Sequence, residues 1–430
     1  MITLPEPLVP VVEALRAKGT HPVIVGGYIR DALLGHPGKD IDIEVYNATD
    51  LDALALLLAP FGSVNLVGKS FGVAKLSVGG FDADFSLPRT ESKTGSGHRG
   101  FDVSLDAYLD FETAARRRDF TVNAMGYDIG TSRLLDPYGG QNDLEKRLLR
   151  CVNPQTFVED PLRVLRAVQM AARFTLECDE ALSELCRTMV AEGSLDELPK
   201  ERIFEEIRKL LLKAERPSRG LILMDRFGAL KLFPELEAVR TGNTPDADAW
   251  SHTLKSLDAM AALRTGETKR DLAAMLAVLC HACDAETGVR RFLARLSDDR
   301  ELTETVAALV AHRDEPLRCY SQNAPAGDIR RLALKLPLEL LVRVAKALHR
   351  GATSPSASFP AGEWLLDEAL QVRATPEGLK PLLLGRDLIA LGHVPSPKFK
   401  AILDHAYEAQ LDGEYTSREG ALEWLKNYST

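Results

Sequence analysis

The sequence predicts an α/β head followed by a nearly all-α remainder, and three observations carry that prediction. Short β-branched runs alternate with glycine-rich turns from Val23 to about Asp136, strand signals fade from about Leu144, and helical spacing dominates thereafter. The chain has 430 residues, about three times the ~150 residues of a typical domain, so two or more packed units are expected. Its composition, 45% hydrophobic, 27% charged and 6% aromatic, suits a globular protein with a sizeable core and excludes disordered, collagen-like and disulfide-scaffold classes.

In chain order, the strand signals are Val23 to Val25, Ile41 to Val45, Val73 to Val78 and Phe81 to Phe85. Helical spacing then marks Pro161 to Phe174 and Glu201 to Lys213. The longest apolar run, Leu272 to Cys280, is far shorter than the ~20 residues that span a bilayer and reads as a buried helix, so no membrane partner is expected. Seams are expected at the turn-rich Asp136 to Gly140, at the polar Arg240 to Asp248, and near Ala352 to Ala361. The first residues lack the basic start and apolar stretch of a signal peptide, and six cysteines form no regular framework. Both features fit a reducing cytoplasm. Cys280 and Cys283 make a C-x-x-C with no second pair nearby, which reads as structural rather than as a metal or redox site.

The strongest local feature runs from Val25 to Ile43. A short strand leads into Gly26 and Gly27, a helix carries Arg30, and a second strand presents Asp40, Ile41, Asp42 and Ile43. Residues two apart on a strand face one side, so Asp40 and Asp42 point together while Ile41 and Ile43 face the core. Two carboxylates on one face suit Mg²⁺, which completes its shell with water and substrate phosphate. The glycines let a phosphate approach the backbone, and a helix starting just after them offers free N–H groups. Each element alone has an ordinary reading, an exposed strand alternation or a plain turn; their order and spacing together point to a site. A second carboxylate pair, Asp82 and Asp84, lies in a later strand. If that strand is adjacent, Asp84 is a third metal-side carboxylate or a base for an attacking hydroxyl; otherwise it lies on a solvated strand face.

Two further segments read as a nucleotide pocket. Arg116 to Met125 combines guanidinium groups for phosphates with Asp119 and Asn123, which can bond a ribose hydroxyl or position phosphate, though a basic helix start capped by Asp119 fits too. In Val158 to Phe174, Asp160 is a natural N-cap with Pro161 at the first helical position. Arg163, Arg166 and Arg173 then share one face, with Leu162, Leu165 and Val168 near another. A carboxylate accepting from an exocyclic amine and a guanidinium donating to a ring nitrogen suit the pairing edges of cytosine and adenine. Asp160 with Arg163 would then reject uracil and guanine, which place a carbonyl oxygen against the carboxylate.

These residues resemble the class II tRNA nucleotidyltransferases, or CCA-adding enzymes, and the bacterial poly(A) polymerases that share their head. The resemblance rests on Gly26 to Asp31 with Asp40 to Asp42, Arg117 to Ala124, Asp136 to Leu144, Glu159 to Ala167 and Glu201 to Glu206, spanning about residues 20 to 215. It implies a polymerase-β-like nucleotidyltransferase head over 1–137, a helical neck over 138–215 with the base pocket, a helical body over 216–350 and a helical tail over 351–430 that contacts tRNA. It further implies that Asp40 and Asp42 hold Mg²⁺, with Asp84 a catalytic candidate. Gly27, Arg30 and Arg118 would contact the triphosphate, Asp119 the ribose, and Asp160 with Arg163 the base, supported by Arg166, with Gly26 and Asn123 counted in the same nucleotide site. Partners would be CTP, ATP and the tRNA 3′ end. Relatives commonly carry another arginine at the position of Gln169, so one phosphate contact departs from the family pattern.

Downstream, the chain resembles the bacterial subgroup with an HD phosphohydrolase module. His252 matches the first metal-ligand histidine, but the expected His-Asp pair reads His281-Ala282. The likeness therefore implies a degenerate module without its metal and without phosphodiesterase or phosphatase activity. Leu384 to Phe399 resembles the tail turn of that subgroup, and on the residues alone reads as a helix-turn-helix. CC-only enzymes of the family lack a loop between the head motifs. Arg89 to Ser104 fills that region here, with Gly95 and Gly97 as hinge points of a mobile lever. Gly68 to Val73 lacks the paired basic residues that mark the poly(A) polymerases. CCA addition is therefore favoured over A-only addition, over a poly(A) polymerase and over an inactive RNA-binding protein that keeps the head as a scaffold.

The net charge of -9, from 62 acidic and 53 basic residues, argues against a broadly basic nucleic-acid binder but not against local grip. Between Asp160 and Phe174 three arginines face one acid, and between Arg313 and Arg350 eight basic residues face four acidic ones. Arg343, Lys346 and Arg350 are expected on one helical face that follows a tRNA backbone.

Overall fold

The computed structural model describes residues 2–35, 38, 40–67, 72–93, 101–242, 248–283, 285–391 and 394–428, with backbone alone at 67, 90–93, 101–104 and 285. The chain forms two compact units, one of Met1–Leu210 with Arg219–Leu232, the other of Leu211–Ser218 with Phe233–Thr430.

The first unit opens with α1 (Val9–Ala17), β1 (His21–Val25), α2 (Gly27–Leu33), β2 (Ile41–Tyr46) and α3 (Leu51–Leu58). Strands β3 (Ser63–Val67), β4 (Val73–Val78) and β5 (Phe81–Ser86) follow, and β6 (Arg89–Lys93) with β7 (Phe101–Leu105) forms a separate antiparallel hairpin. The predicted lever falls in this hairpin, whose connection, including Gly95 and Gly97, lies outside the described residues, as does Gly68 to Phe71. After α4 (Phe111–Ala115), β8 (Gly126–Asp128) and β9 (Arg133–Leu135) complete a seven-stranded sheet of order β3-β4-β5-β2-β1-β8-β9. Within this sheet β2 and β5 pair in parallel, and the other described pairs are antiparallel.

The larger apolar core lies on one face of the sheet, and the sequence alternation explains why. Ile41, Ile43 and Val45 of β2, Ala83 and Phe85 of β5 and Ile24 of β1 are buried with Val11, Val12 and Leu15 of α1 and Leu54 and Leu58 of α3. Asp50 caps α3, accepting from the Ala53 N–H at 2.7 Å, and so fixes where that covering helix begins. Helices cover this face, and the opposite face carries Asp42 and Glu44 of β2 beside a smaller buried cluster of Val23, Val25, Tyr46 and Ala114.

The Asp136 to Gly140 turn lies inside this unit. The Asp136 carboxylate accepts from the backbone N–H groups of Gly140 and Gln141 at 2.6 and 2.9 Å and starts α5 (Gly140–Glu145). A Cβ at Gly140 would stand 2.2 Å from the Thr121 carbonyl oxygen, so only glycine admits this packing. The chain continues through β10 (Leu148–Leu149), α6 (Pro154–Phe157), α7 (Leu162–Phe174), β11 (Glu177–Cys178), α8 (Glu180–Ala191), α9 (Lys200–Lys213) and α10 (Pro217–Phe227). Thus α7 and α9 realise the two predicted helices within a residue at each start. The buried stripe of α7 includes Leu162, Leu165 and Val168, as the spacing predicts.

The second unit is helical throughout its described residues. Its centre is the helix Thr268–Cys280, buried at every position from Asp271 onward, which contains the predicted apolar run. It packs against Ala249–Ala261, Arg300–Ala311 and Leu338–Ala352. Cys280 and Cys283 are both buried free thiols. A smaller core near the C-terminus joins Leu388 of the helix Gly385–Ala390 to Ala406 of Lys398–Asp412 and Leu425 of Arg418–Tyr428. These helices give the predicted helix-turn-helix, with Gly392 and His393 of its connection outside the described residues. Residues 243–247 of the Arg240 to Asp248 seam also lie outside them. No described helix is long and apolar enough to cross a membrane.

One expectation fails in this unit. Arg343 does not face outward as part of a basic stripe. Its guanidinium donates to the Leu263 carbonyl at 2.9 Å and pairs with the buried Asp271, while Arg350 donates to the Ala357 carbonyl at 3.1 Å. Helical spacing places residues on one face but cannot say what covers that face, and here the protein's own backbone takes the guanidinium hydrogens.

Candidate active site

The polar face of the sheet begins the site. β1 ends at Val25, and Gly26 turns the chain with φ of +74°, a conformation that glycine adopts without strain. A Cβ there would also meet the Arg118 Nη1 atom at 3.0 Å. The helix α2 that follows carries Arg30, and the chain returns through Asp40 into β2. Register sets Val25 opposite Asp42 on one side and Asp84 beside Asp42 on the other. The strand of Asp84 is therefore adjacent, and Asp84 also pairs with Lys75 at 3.3 Å. Asp82, two residues earlier, accepts from Ser77 Oγ at 2.5 Å.

Alternation along β2 is as predicted for Ile41 and Ile43, which are buried, and for Asp42, which reaches solvent. The period of two continues to Glu44, a functional candidate that sequence reasoning missed although Asp-Ile-Asp-Ile-Glu announces it. Glu44 is buried and receives Arg117 and Arg118 at 3.0 and 2.9 Å, with Tyr46 Oη donating at 2.9 Å. The two carboxylates respond oppositely. Burial pushes Asp42 up, Arg118 opposes it in part, and Asp84, Glu44 and Asp40 add to the rise. Burial would also raise Glu44, but Arg118 and Arg117 outweigh it and hold Glu44 below the usual carboxylate range. Among the described residues no cation pairs with Asp42, whereas Glu44 has two. No three His, Cys, Asp or Glu side chains among the described residues converge as a ready-made metal cage. The residues on this face fit an ion that takes one or two carboxylates and completes its shell from water and phosphate.

A second network faces this sheet from the chain around Asp119. The buried Asp119 accepts from the Phe120 N–H at 2.8 Å, from Asn123 Nδ2 at 2.9 Å, and from Arg166 Nε and Nη2 at 2.8 and 2.5 Å. Burial would raise it, but Arg166 and the Asn123 bond hold it below the ordinary range, and Asp119 in turn raises Arg166. Asn123 Oδ1 accepts from Arg30 Nη1 at 2.5 Å, and Arg30 also chelates Asp31 and lies 4.1 Å over the Phe174 ring. Arg30 is buried, and that burial lowers its basicity despite Asp31.

The helix α7 begins at Leu162 with Pro161, not Asp160, at the N-cap; Asp160 stands one residue further out, its Oδ1 accepting from the Leu162 N–H at 3.2 Å. Its other oxygen pairs with Arg202 of α9 at 3.0 Å. Arg163 bonds its own surroundings, donating to the Thr156 and Arg117 carbonyls at 2.7 Å each. Arg202 is a second residue that single-residue reasoning passed over, because its partner lies 42 positions away.

These groups line one cleft of about 520 Å³, within the size range of small-ligand sites. Gly26, Gly27, Arg30, Asp42 and Arg118 line it from the sheet side. Asp119 and Asn123 line it together with Asp160, Arg163 and Arg166. Asp40 and Asp84 stand beside Asp42 without being among the lining residues. Arg89, Arg117, Arg173, Arg202 and Lys209 add to an excess of cations over carboxylates, which suits a polyanionic ligand.

In the second unit, His252 Nδ1 and His281 Nε2 stand 3.1 Å apart, and their other ring nitrogens bond the Leu348 and Val278 carbonyls. Ala282 follows His281 where the resemblance called for a carboxylate.

Residues 23–150 match the family model described as the poly A polymerase head domain, and residues 176–239 match that of a probable RNA and SrmB-binding site of polymerase A. A protein of Acinetobacter baumannii (strain AYE), named multifunctional CCA protein, is 31% identical over 399 residues, covering 85% of this chain and 94% of its own length. The protein of the same name from Stenotrophomonas maltophilia (strain K279a) is 40% identical over 261 residues, 59% of this chain. That match spans 62% of the Stenotrophomonas protein, so the chain covers about three fifths of that relative. Among solved structures, the Bacillus stearothermophilus CCA-adding enzyme in complex with CTP superposes with a TM-score of 0.73 at 22% identity, covering 99% of this chain and 98% of that one. That likeness gives the fold, a polymerase-β-like head followed by helices. With the Acinetobacter relative matched over nearly its whole length, the chain belongs to the family of class II CCA-adding enzymes and bacterial poly(A) polymerases.

Proposed function

We propose that this chain adds CCA to the 3′ end of tRNA without a template, using CTP and ATP. The observation that carries the reading is the cleft itself. Asp42, pushed up by burial, lines it with Arg30 and Arg118, and Asp160 and Arg163 line the same cleft. The names of the relatives and the CTP complex of the structural neighbour support the same reading.

Asp40 and Asp42, with Asp84 alongside, would hold Mg²⁺, which supplies activation of a hydroxyl and neutralises charge on the phosphates. The chain's own residues do the rest. Gly26 and Gly27 let the triphosphate approach the backbone, and Arg30 and Arg118 face its oxygens. Asp119, held by Arg166 and Asn123, presents an acceptor to the ribose. Asp160, tied back by Arg202, accepts from the exocyclic amine of cytosine or adenine while Arg163 donates to the ring nitrogen. The RNA 3′ oxygen forms the new bond to the α-phosphorus, the bond from that phosphorus to the bridging oxygen breaks, and pyrophosphate leaves. We assign the head to 1–137, the neck to 138–215, the body to 216–350 and the tRNA-contacting tail to 351–430, and place the protein in the cytoplasm.

The deciding experiment offers tRNA transcripts lacking all of CCA, ending in C, and ending in CC, with Mg²⁺ and with CTP and ATP separately, and sequences the 3′ ends. Stepwise C, C and A addition is expected. Growth only on the CC transcript means A-only addition, long A tracts mean poly(A) synthesis, and no growth on any transcript would falsify the enzyme reading.

A further inference from the structure

We propose that Gln169 reads a sugar hydroxyl of the incoming nucleotide, acting beside Asp119 as a second determinant of ribose over deoxyribose. The inference rests on the proposed nucleotide addition and deepens it.

Gln169 lies on α7 among the cleft-facing arginines, three residues after Arg166 and four before Arg173, and lines the cleft with them. It is only 3% exposed, yet its side-chain oxygen has no hydrogen-bond partner among the described residues. A buried carbonyl oxygen without a donor costs free energy, so such an atom in a ligand cleft calls for a donor from the ligand. The surroundings say which part of the ligand that is. Arg166, one turn earlier, bonds Asp119. Met170, the next residue, has its sulfur 3.8 Å from Arg30 Nη1, and Arg30 bonds Asn123, which bonds Asp119. The row Asp119, Asn123, Arg30 therefore runs alongside the stretch of α7 from Arg166 to Met170, and Gln169 falls within that stretch. Phosphate oxygens only accept, and the exocyclic amine of the base is assigned to Asp160, so the nucleotide donors left for a carbonyl beside Asp119 are the ribose hydroxyls. An arginine at position 169 would instead offer only donors, toward phosphate. The neutral amide makes this position a reader of the sugar.

The test compares CTP with 2′-deoxy-CTP and 3′-deoxy-CTP in single-nucleotide addition to a tRNA transcript, for the parent, Gln169→Met and Gln169→Glu. In Gln169→Met the preference for CTP over one deoxy analogue, as a ratio of kcat/KM, should fall about tenfold. Gln169→Glu keeps an acceptor and should keep that preference, while KM rises for every triphosphate. Unchanged preferences in Gln169→Met overturn the proposal, as does a collapse in Gln169→Glu. An equal loss for all three nucleotides also overturns it, since the amide then serves a group that all three share. Equilibrium binding of the same nucleotides gives the same ratios if the parent adds nothing, so failure of the addition reading is told apart from failure of this one. If Gln169→Met does not fold, a crystal structure of the parent with CTP decides. A hydroxyl within hydrogen-bond distance of the Gln169 oxygen supports the proposal, and any other partner overturns it.

Discussion

Asp42 in the cleft of the first unit and Asp271 in the helical interior of the second are both set beside an arginine, yet they are pushed in opposite directions. Burial raises both. At Asp271 the Arg343 bond and the backbone N–H groups of Thr265 and Gly266, at 2.8 to 3.1 Å, outweigh burial and hold it below the ordinary range. At Asp42 the nearby Arg118 acts through its charge, its Nη2 bonding Glu44 at 2.9 Å and its Nη1 the Asn123 carbonyl at 3.4 Å, and Asp42 stays raised. A nearby guanidinium does not settle a carboxylate; what matters is which acceptor receives its N–H groups. The second unit has closed its pair, and the first has left one open toward a ligand.

The largest effect is expected at that open group. Asp42→Ala should reduce nucleotide addition at least on the order of a thousandfold while the far-ultraviolet circular dichroism stays as in the parent. Parent-like turnover would remove Asp42 from the chemistry and the contrast with it. Next comes Arg343→Ala, which strands the buried Asp271 and should cost about 3–5 kcal/mol in urea unfolding, with addition per folded molecule unchanged. A loss below about 1 kcal/mol would show that this pair is not closed in solution.

Arg163 is the intermediate case, a cleft arginine already bonded to two carbonyls. Arg163→Ala should relax selection against UTP and GTP by about 1–3 kcal/mol, read from misincorporation ratios, with less effect on triphosphate affinity. Equal loss of affinity for all four nucleotides would make it a phosphate contact. Glu44→Gln should lower kcat/KM roughly tenfold by loosening Arg118, and should add little when combined with Arg118→Ala. Full additivity in that double variant would separate the two residues.

The smallest effect is in pH. Asp42 binds its proton more tightly folded than unfolded, so metal-free stability falls as pH rises from the ordinary carboxylate value through its raised one. Asp271 has the opposite sign, contributing stability above the ordinary carboxylate value that is lost as pH falls through its depressed one. Asp42→Asn should therefore remove the first slope in thermal melts without magnesium and leave the second. Added Mg²⁺ should raise the parent's melting temperature and not that of Asp42→Asn. A slope unchanged by Asp42→Asn would assign it to another group.

The sequence by itself determined the local order of this protein. A period of two put Ile41 and Ile43 in the core and Asp42 opposite them, a period of 3.6 gave α7 and α9, and the Asp160-Pro161 pair marked the start of α7 to within a residue. These are short-range properties, set by backbone geometry within a few residues. Only the tertiary structure decided which charges remain available. Glu44 claims Arg117 and Arg118 across 73 and 74 positions, Arg202 reaches Asp160 across 42, and Asp271 with Leu263 takes Arg343 from a stripe that spacing alone had turned outward. A guanidinium can reach any acceptor that folding brings near, and an ion pair carries no periodicity along the chain. Side-chain facing is thus written locally, while the partners of a charge are settled only when distant segments pack.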